Sequence, residues 1–439
     1  MNVAVSTADS PAPELTFLYI KVGIAGFIAA ATVLLLWPNA LSSRWSGATL
    51  AAVHLFALGG LAPAMVGALF QFMPVASGIA LAPWGRGEFA IMAALSLGAA
   101  CLGTGFLAAN RGAMGLGAAL AVSALALVGA RLAATLCRPR ESAMIARGLR
   151  TSIFGLAGTL ALAAYLTFEL VMHNRQPDVG WVDWHALWAI GGWVGTLIAS
   201  VATIIVPMFN VTDSYPPAWQ RAVCAIPVWL LIGVTAPALG TVLAGDLARI
   251  ALALMAGTFG LLTLYLLHRS RRRQSDVFRW GWALIGLTAV LSGVLGAISM
   301  SSDDPRWTTA FGVCVLAGLA GFTITTMIYR IVPFLSWLHW QRINKARARL
   351  PLIHEIIPEK PQRIQLALQI CGVVALCLAA HFPTLQPVGA VLWLSSQCSL
   401  LVLVSRATSR YARTRATLLS LPPRTVRPHD HSSPARRER

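Results

Sequence analysis

The stretch HLFALGGLAPAMVGALFQFMP, residues 54–74, reads as one apolar helix with a histidine at its start and a proline at its end. A second stretch, HALWAIGGWVGTLIASVATIIVPMF at 185–209, repeats the order of histidine, Gly-Gly pair and proline. A third, FGVCVLAGLAGFTITTMIYRIVPFL at 311–335, reaches its proline in the same way but has no histidine at its start. The three stretches therefore indicate an internal repeat.

The prolines of these stretches define the period of the repeat. Pro74, Pro207 and Pro333 lie 133 and 126 residues apart. Because a transmembrane helix needs about 20 apolar residues, each interval holds four helices with their connections. The spacing predicts a 4+4+4, pseudo-threefold arrangement in which the proline helices are the second, sixth and tenth of twelve. This period does not fit the two six-helix halves of major-facilitator transporters.

Composition indicates the environment of these helices. Of 439 residues, 57% are hydrophobic and 11% are charged, and the mean hydropathy is +0.69. Such a chain is not a soluble globular protein, and its continuous apolar runs predict an all-α integral membrane protein rather than a β-barrel. The twelve predicted spans are 17–37, 50–74, 89–108, 113–136, 149–172, 184–209, 222–244, 247–267, 278–299, 308–334, 364–380 and 386–405.

The chain is predicted to be one membrane domain with short flanking segments. Residues 1–16 form an N-terminal segment, and residues 406–439 form a basic tail that is expected to be disordered because it is rich in Arg, Pro and Ser. Between them, the membrane domain at 17–405 divides into repeats at approximately 17–136, 149–267 and 278–405.

Lysine and arginine are concentrated on one side of the predicted membrane. The connections after helices 4, 8 and 10 and the tail after helix 12 carry 24 of the 34, whereas the other side carries Arg44, Arg111, Arg175, Arg249 and Arg306. By the positive-inside rule, this asymmetry predicts a multi-pass protein with both termini in the cytoplasm. The net charge of +18 thus reflects topology, so the lipid bilayer is the expected partner and nucleic acid is not.

Twelve helices in three units of four, with histidines near the outer ends of helices 2 and 6, resemble subunit I of the haem-copper oxidases. The chain is also similar to the NnrS-type membrane proteins, which contain haem and copper and are associated with nitric oxide stress. The segments that end in IVPMF and in YRIVPFLSWLHW carry this likeness, which covers roughly residues 15–405. The resemblance implies a bacterial inner-membrane location, haem b and copper as cofactors, and a respiratory-chain or periplasmic electron-transfer partner.

The resemblance also implies ligand roles for two residues. His54 matches the helix 2 histidine that holds a low-spin haem in the oxidases, and His185 matches their copper ligand on helix 6. The family's other histidine ligands, on helices 7 and 10, have no counterpart, because 222–244 and 308–334 contain no histidine. A complete oxygen-reducing or nitric-oxide-reducing centre is therefore not expected, and enzymatic activity stays an open question.

The residues themselves leave two interpretations of His54 and His185. Neutral imidazole ligates haem iron or copper, and ionisable groups inside a membrane are functional candidates by default. The predicted helix start, however, places His54 only about 6 Å inside its helix, where polar packing or interfacial anchoring would also explain it. Glu169 and His173 are weaker metal candidates beside His185, because residues at i and i+4 on one helix face also pair with each other.

Three functions follow from these alternatives. The favoured one is a haem- and/or copper-binding membrane protein without a complete oxygen-reducing centre, acting in redox or nitric-oxide stress or in metal or haem handling. The others are a transporter of a neutral or hydrophobic small molecule and a cofactor-free partner of a respiratory complex. The scarcity of ionisable residues in mid-span argues against a carrier of charged substrates.

Overall fold

A computed structural model of the chain describes residues 13–77, 85–136, 143–236, 240–272, 275–344 and 348–421. Twelve helices in this part of the chain are long and apolar enough to cross a membrane. Helices 1 to 6 are Glu14–Leu36, Gly47–Met73, Arg86–Leu107, Arg111–Leu136, Ile145–Val171 and Val179–Asn210. Helices 7 to 12 are Pro217–Thr235, Leu243–His268, Val277–Ser301, Pro305–Asn344, Glu359–Ala379 and Pro383–Ser420. The predicted all-α, multi-pass architecture is therefore confirmed.

Consecutive helices pack side by side, and helix 12 closes the ring against helix 1. Helices 2, 6 and 10 are the most buried of the twelve. In the most apolar 18-residue stretch of each of these helices, 56 to 67% of the residues are buried, compared with 17 to 44% in the other nine. Helix 10 contacts both helix 2 and helix 6. The three helices that share the sequence pattern thus occupy the interior of the bundle.

Each of these three inner helices contains a π-helical segment. The segments are Leu55–Leu61 in helix 2, Trp188–Gly195 in helix 6 and Cys314–Ala320 in helix 10. Each ends 12 or 13 residues before the proline of its helix. The π-helical segment of helix 10 contacts the segments of the other two. Since π-helical turns frequently mark functional sites, these segments direct attention to the side chains around them.

The bundle has two ends, which we name by the residues they carry. Helices 2, 6 and 10 begin at the end we call the histidine end. Helix 1 begins and helix 12 finishes at the opposite end, which we call the terminal end. The terminal end is the one that the sequence predicts to be cytoplasmic.

Helix 12 is much longer than predicted. It continues past residue 405 to Ser420, where Arg410 donates to the Glu355 carbonyl at 2.6 Å and Tyr411 donates to a Glu14 carboxylate oxygen at 2.9 Å. These contacts dock the extension on the first helix and on the connection after helix 10. The expectation of disorder from residue 406 is therefore wrong up to Ser420, and residues 422–439 lie outside the described part of the chain.

Candidate functional site

His54 immediately precedes the π-helical segment of helix 2. The helix begins at Gly47, earlier than predicted, because the Ser46 side chain caps it by accepting from the Thr49 backbone N–H at 3.0 Å. At 1.5 Å per residue, His54 is therefore about 10 Å along the helix rather than about 6 Å. His54 thus lies almost two turns from the start of its helix, and its depth in the membrane stays a prediction.

The hydrogen bonding of His54 assigns its tautomer. Nδ1 lies 2.8 Å from the carbonyl oxygen of Leu50, and because a carbonyl only accepts, Nδ1 carries the proton and Nε2 keeps its lone pair. The ring packs on Phe106 of helix 3, with centroids 4.9 Å apart. Metal-bound histidines have this arrangement, in which a backbone carbonyl fixes one ring nitrogen and the other is left for the ion.

His185 holds a comparable position in helix 6. The helix begins at Val179, five residues before the predicted start, because the side chain of Asp178 accepts from the Gly180 backbone N–H at 2.8 Å. His185 is consequently about 9 Å along its helix. Both histidines therefore enter the bundle to similar depths from the histidine end.

One ring nitrogen of His185 has no partner. Nδ1 is buried and makes no hydrogen bond within the described residues. The backbone of Thr159 on helix 5 lies beside the ring. Leaving a buried polar atom unsatisfied costs about 1–3 kcal/mol, so a bound ion or water at this nitrogen would be favourable.

His54 and His185 lie within electrostatic range of each other. His54 packs on Phe106 of helix 3, and His185 lies beside Thr159 of helix 5. The two histidines define the candidate site.

An ion pair ties the two histidine-bearing helices together at the histidine end. Arg44, in the connection before helix 2, lies 2.5 Å from Asp183, two residues before His185 in helix 6. Both side chains are about 30% exposed, so the pair contributes only about 0–1 kcal/mol. Its role is positional: it fixes the entrance of helix 6 relative to that of helix 2.

A small apolar cavity lies deeper in the bundle. It is bordered by helices 2, 4, 5 and 6, and its lining includes Met65, Met73 and Trp193. Its volume is about 20 Å³, compared with the roughly 10–15 Å³ that one water molecule needs. The cavity is therefore narrow, with room for about one water molecule, and its lining is almost entirely apolar.

Glu169 and His173 pair with each other on helix 5. Nδ1 of His173 lies 3.1 Å from a carboxylate oxygen of Glu169, and the His173 ring also packs edge-on against Phe168. These contacts satisfy both residues locally, so their joining a metal site with His185 stays a prediction. No group of three or more His, Cys, Asp or Glu suited to a metal ion occurs in the described part of the chain.

Sequence reasoning missed a buried ion pair near the terminal end. Arg131 of helix 4 lies 3.1 Å from Glu88 of helix 3, and the two side chains are only 8% and 9% exposed. Tyr19 donates to the Glu88 carbonyl at 2.6 Å, and the Arg131 guanidinium lies over the ring of Phe70. The sequence did contain a signal for this pair, because Glu88 and Arg131 carry opposite charges and lie near the adjoining ends of neighbouring predicted helices.

Comparison with known proteins does not assign this site. No family model matches the chain, and no curated protein matches it either.

Proposed function

We propose that this protein is a metal-binding membrane protein of haem-copper-oxidase-like architecture, in which His54 and His185 together hold a copper ion. The observation that supports this proposal is a pair of histidines within electrostatic range of each other. The Leu50 carbonyl sets the tautomer of His54, and His185 has a buried ring nitrogen without a hydrogen-bond partner within the described residues. Such a site suits copper handling or one-electron chemistry. The set of ligands is too small for an oxygen-reducing centre.

Copper in its reduced form fits these residues better than a divalent ion. Imidazole is a good ligand for copper, and His54 already presents Nε2 as a lone pair. Since two neutral imidazoles leave the charge of the ion uncompensated, a singly charged ion costs less in this apolar space than a doubly charged one. When bound, copper would supply one-electron redox chemistry.

The residues around His54 fit a haem less well. A haem shared with helix 10, as the resemblance implies, would need space on the inner side of helix 2. That side is filled by aromatic rings, because Phe56 packs on Phe27 at 4.7 Å and on Trp393 at 6.0 Å between ring centroids. The His54 ring packs instead on Phe106 of helix 3. These contacts favour a single ion over a macrocycle.

The proposal assigns a positioning role to the neighbours of the two histidines. The Leu50 carbonyl orients the His54 ring, Phe106 shields one of its faces from water, and the pair of Arg44 and Asp183 holds the helix entrances. Because His54 binds through a lone pair that it already has, loading the site requires no proton to leave this residue. The preformed geometry lowers the cost of ordering a ligand pair.

We propose in addition that the terminal end faces the cytoplasm of a bacterial cell. The concentration of arginine at this end supports that orientation. Several of these arginines also bind the ends of helices: Arg150 donates to the Leu136 carbonyl at 2.6 Å, and Arg279 donates to the Leu267 carbonyl at 2.7 Å. Cations at C-terminal helix ends are stabilised by the unpaired carbonyls and the helix dipole.

The test is the metal content of the full-length protein purified in detergent. We expect wild type to bind a copper equivalent that both His54→Ala and His185→Ala lose. His173→Ala is the matched control, because His173 is a half-exposed histidine at the same end of the bundle, and it should retain the copper. A wild type that neither contains nor takes up copper, or two alanine variants that bind as wild type does, would overturn the proposal.

A reduced-minus-oxidised visible spectrum of the same samples separates copper from haem. A haem signal in wild type that is lost in His54→Ala would replace copper by haem as the ligand of His54. A colourless wild type that binds copper is the expected result.

A further inference from the structure

Three glutamines lie on one face of helix 11. Gln362, Gln365 and Gln369 are spaced at i, i+3 and i+7, so their side chains follow each other along the helix. Gln362 is half-buried near the terminal end, whereas Gln365 and Gln369 are fully buried. The helix begins at Glu359, and at 1.5 Å per residue Gln369 lies about 15 Å further along it. A polar stripe therefore runs from the terminal end into the interior of the bundle.

Hydrogen bonds to helices 10 and 12 connect these glutamines. The Tyr329 hydroxyl of helix 10 is bonded to the side-chain oxygen of Gln365, and it lies 3.1 Å from the Gln362 carbonyl oxygen. The Gln365 amide nitrogen donates to the Ser396 hydroxyl of helix 12 at 2.8 Å and to the Gln369 side-chain oxygen at 3.2 Å. An unbroken polar chain thus joins Gln362 to Gln369.

The inner end of this chain carries two amide atoms without partners. The Gln397 amide nitrogen donates to the Ser396 hydroxyl at 3.4 Å, but Oε1 of Gln397 has no hydrogen-bond partner within the described residues. The same is true of Nε2 of Gln369. Both side chains are at most 1% exposed. Because an unsatisfied buried polar atom costs about 1–3 kcal/mol, a ligand that bonds to these atoms would be favourable.

A glycine of helix 10 leaves space beside the unpartnered nitrogen. A Cβ at Gly321 would lie 3.6 Å from Nε2 of Gln369, 3.4 Å from the Leu316 carbonyl oxygen and 2.9 Å from the Trp393 ring. Leu316 belongs to the π-helical segment of helix 10. The Gln369 amide, a π-helical carbonyl and the Trp393 ring therefore border the same small space.

We propose that Gln369 and Gln397 bind water in the interior of the bundle, at the inner end of the polar chain. Water suits these atoms because it both accepts and donates: Nε2 of Gln369 needs an acceptor, and Oε1 of Gln397 needs a donor. Rotation of either amide would exchange its unpartnered nitrogen and oxygen, and water would satisfy both arrangements. A cation would be repelled by the amide nitrogen and an anion by the amide oxygen, so neither fits both groups.

The test is X-ray radiolysis of the full-length protein in detergent, which converts bound water to hydroxyl radicals that oxidise the nearest reactive side chains. We expect oxidation of Trp393, although this residue is only 2% exposed. Trp340 is the internal control and should stay unoxidised, because it is fully buried and its indole N–H donates to the Tyr411 carbonyl at 3.2 Å. Oxidation of Trp393 no stronger than that of Trp340 would overturn the proposal.

Two variants link this oxidation to the glutamines. Gln369→Leu/Gln397→Leu should reduce the oxidation of Trp393 to the level of Trp340, because leucine offers water no hydrogen bond. Cys371→Leu/Cys398→Leu is the matched control, because both cysteines are exposed and lie on the same two helices, and it should leave the oxidation of Trp393 unchanged. Equal oxidation of Trp393 in wild type and in the glutamine variant would refute the water site.

A second measurement needs only the wild type. After rapid mixing with water that contains a heavy oxygen isotope, Trp393 should incorporate the isotope more slowly than Trp45, which is 44% exposed. The reason is that an internal water molecule exchanges more slowly than the solvent at the surface. Incorporation at the same rate in both residues would show that bulk solvent reaches Trp393, and it would overturn the internal site. Neither measurement involves His54 or His185, so the proposed metal site is tested separately.

Discussion

Replacing Arg131 by leucine tests how the terminal end of helices 1 to 4 is held together. The substitution removes the guanidinium that lies 3.1 Å from the Glu88 carboxylate and over the ring of Phe70. Leucine keeps an apolar side chain of intermediate size against helix 3. The remaining Glu88 carboxylate is then left in a site where its side chain is only 9% exposed.

The expected magnitude follows from this burial. Removing one partner of a buried ion pair costs about 3–5 kcal/mol, because the other charge stays in a desolvated site. Replacing both partners by apolar residues is close to neutral, because no charge is then buried. We therefore expect Arg131→Leu to lower the free energy of unfolding by about 3–5 kcal/mol, and Glu88→Leu/Arg131→Leu to recover most of that loss.

The assay is unfolding of the detergent-solubilised protein by titration with a denaturing detergent, followed by the circular dichroism of its helices. Arg271→Ala is the control, because Arg271 and Asp213 form an exposed ion pair with side chains 80% and 66% exposed. Its effect should stay below about 1 kcal/mol. If Arg131→Leu changes the free energy by no more than this control, or if the double variant is as unstable as the single one, the reasoning from burial is refuted.

Three further perturbations follow from particular contacts. Gly155→Ala should lower the free energy of unfolding by about 1–3 kcal/mol in the same titration, because a Cβ there would overlap the Gly192 carbonyl of helix 6. Gly257→Ala is the control: no atom lies near a Cβ at that position, so the free energy of unfolding should stay unchanged or rise. Gln365→Leu should cost about 1–3 kcal/mol by leaving the buried Ser396 hydroxyl, 2.8 Å away, and the Tyr329 hydroxyl without their amide partner; an unchanged midpoint would show that water replaces the amide. The side-chain hydrogen bond from Arg306 holds the pKa of the Asp304 carboxyl below its usual range. The ionised carboxylate therefore stabilises the fold at pH values above the pKa that Asp304 has in the unfolded chain. This stabilisation is lost as the pH falls through the lower pKa that Asp304 has in the folded protein. Asp304→Asn should therefore show a weaker loss of stability on acidification than wild type, and parallel pH profiles would contradict this assignment.

Local properties of the sequence were enough to predict the helices and their repeat. Hydrophobic length identifies a membrane-spanning helix without knowledge of its neighbours, and the spacing of Pro74, Pro207 and Pro333 picked out the three helices that carry π-helical segments. The helix starts were less predictable. Each depended on one capping side chain, Ser46 or Asp178, which lies outside the apolar run.

The long-range pairs were decided by the tertiary structure. Arg44 meets Asp183, and Arg131 meets Glu88, because particular helix faces and helix ends meet in the closed ring. Apolar helices in a membrane carry little periodic signal of which face is buried, since lipid and protein interior are both apolar. The sequence by itself therefore determined how many helices form and which three repeat, whereas only the packing of those helices decided which polar side chains share a site.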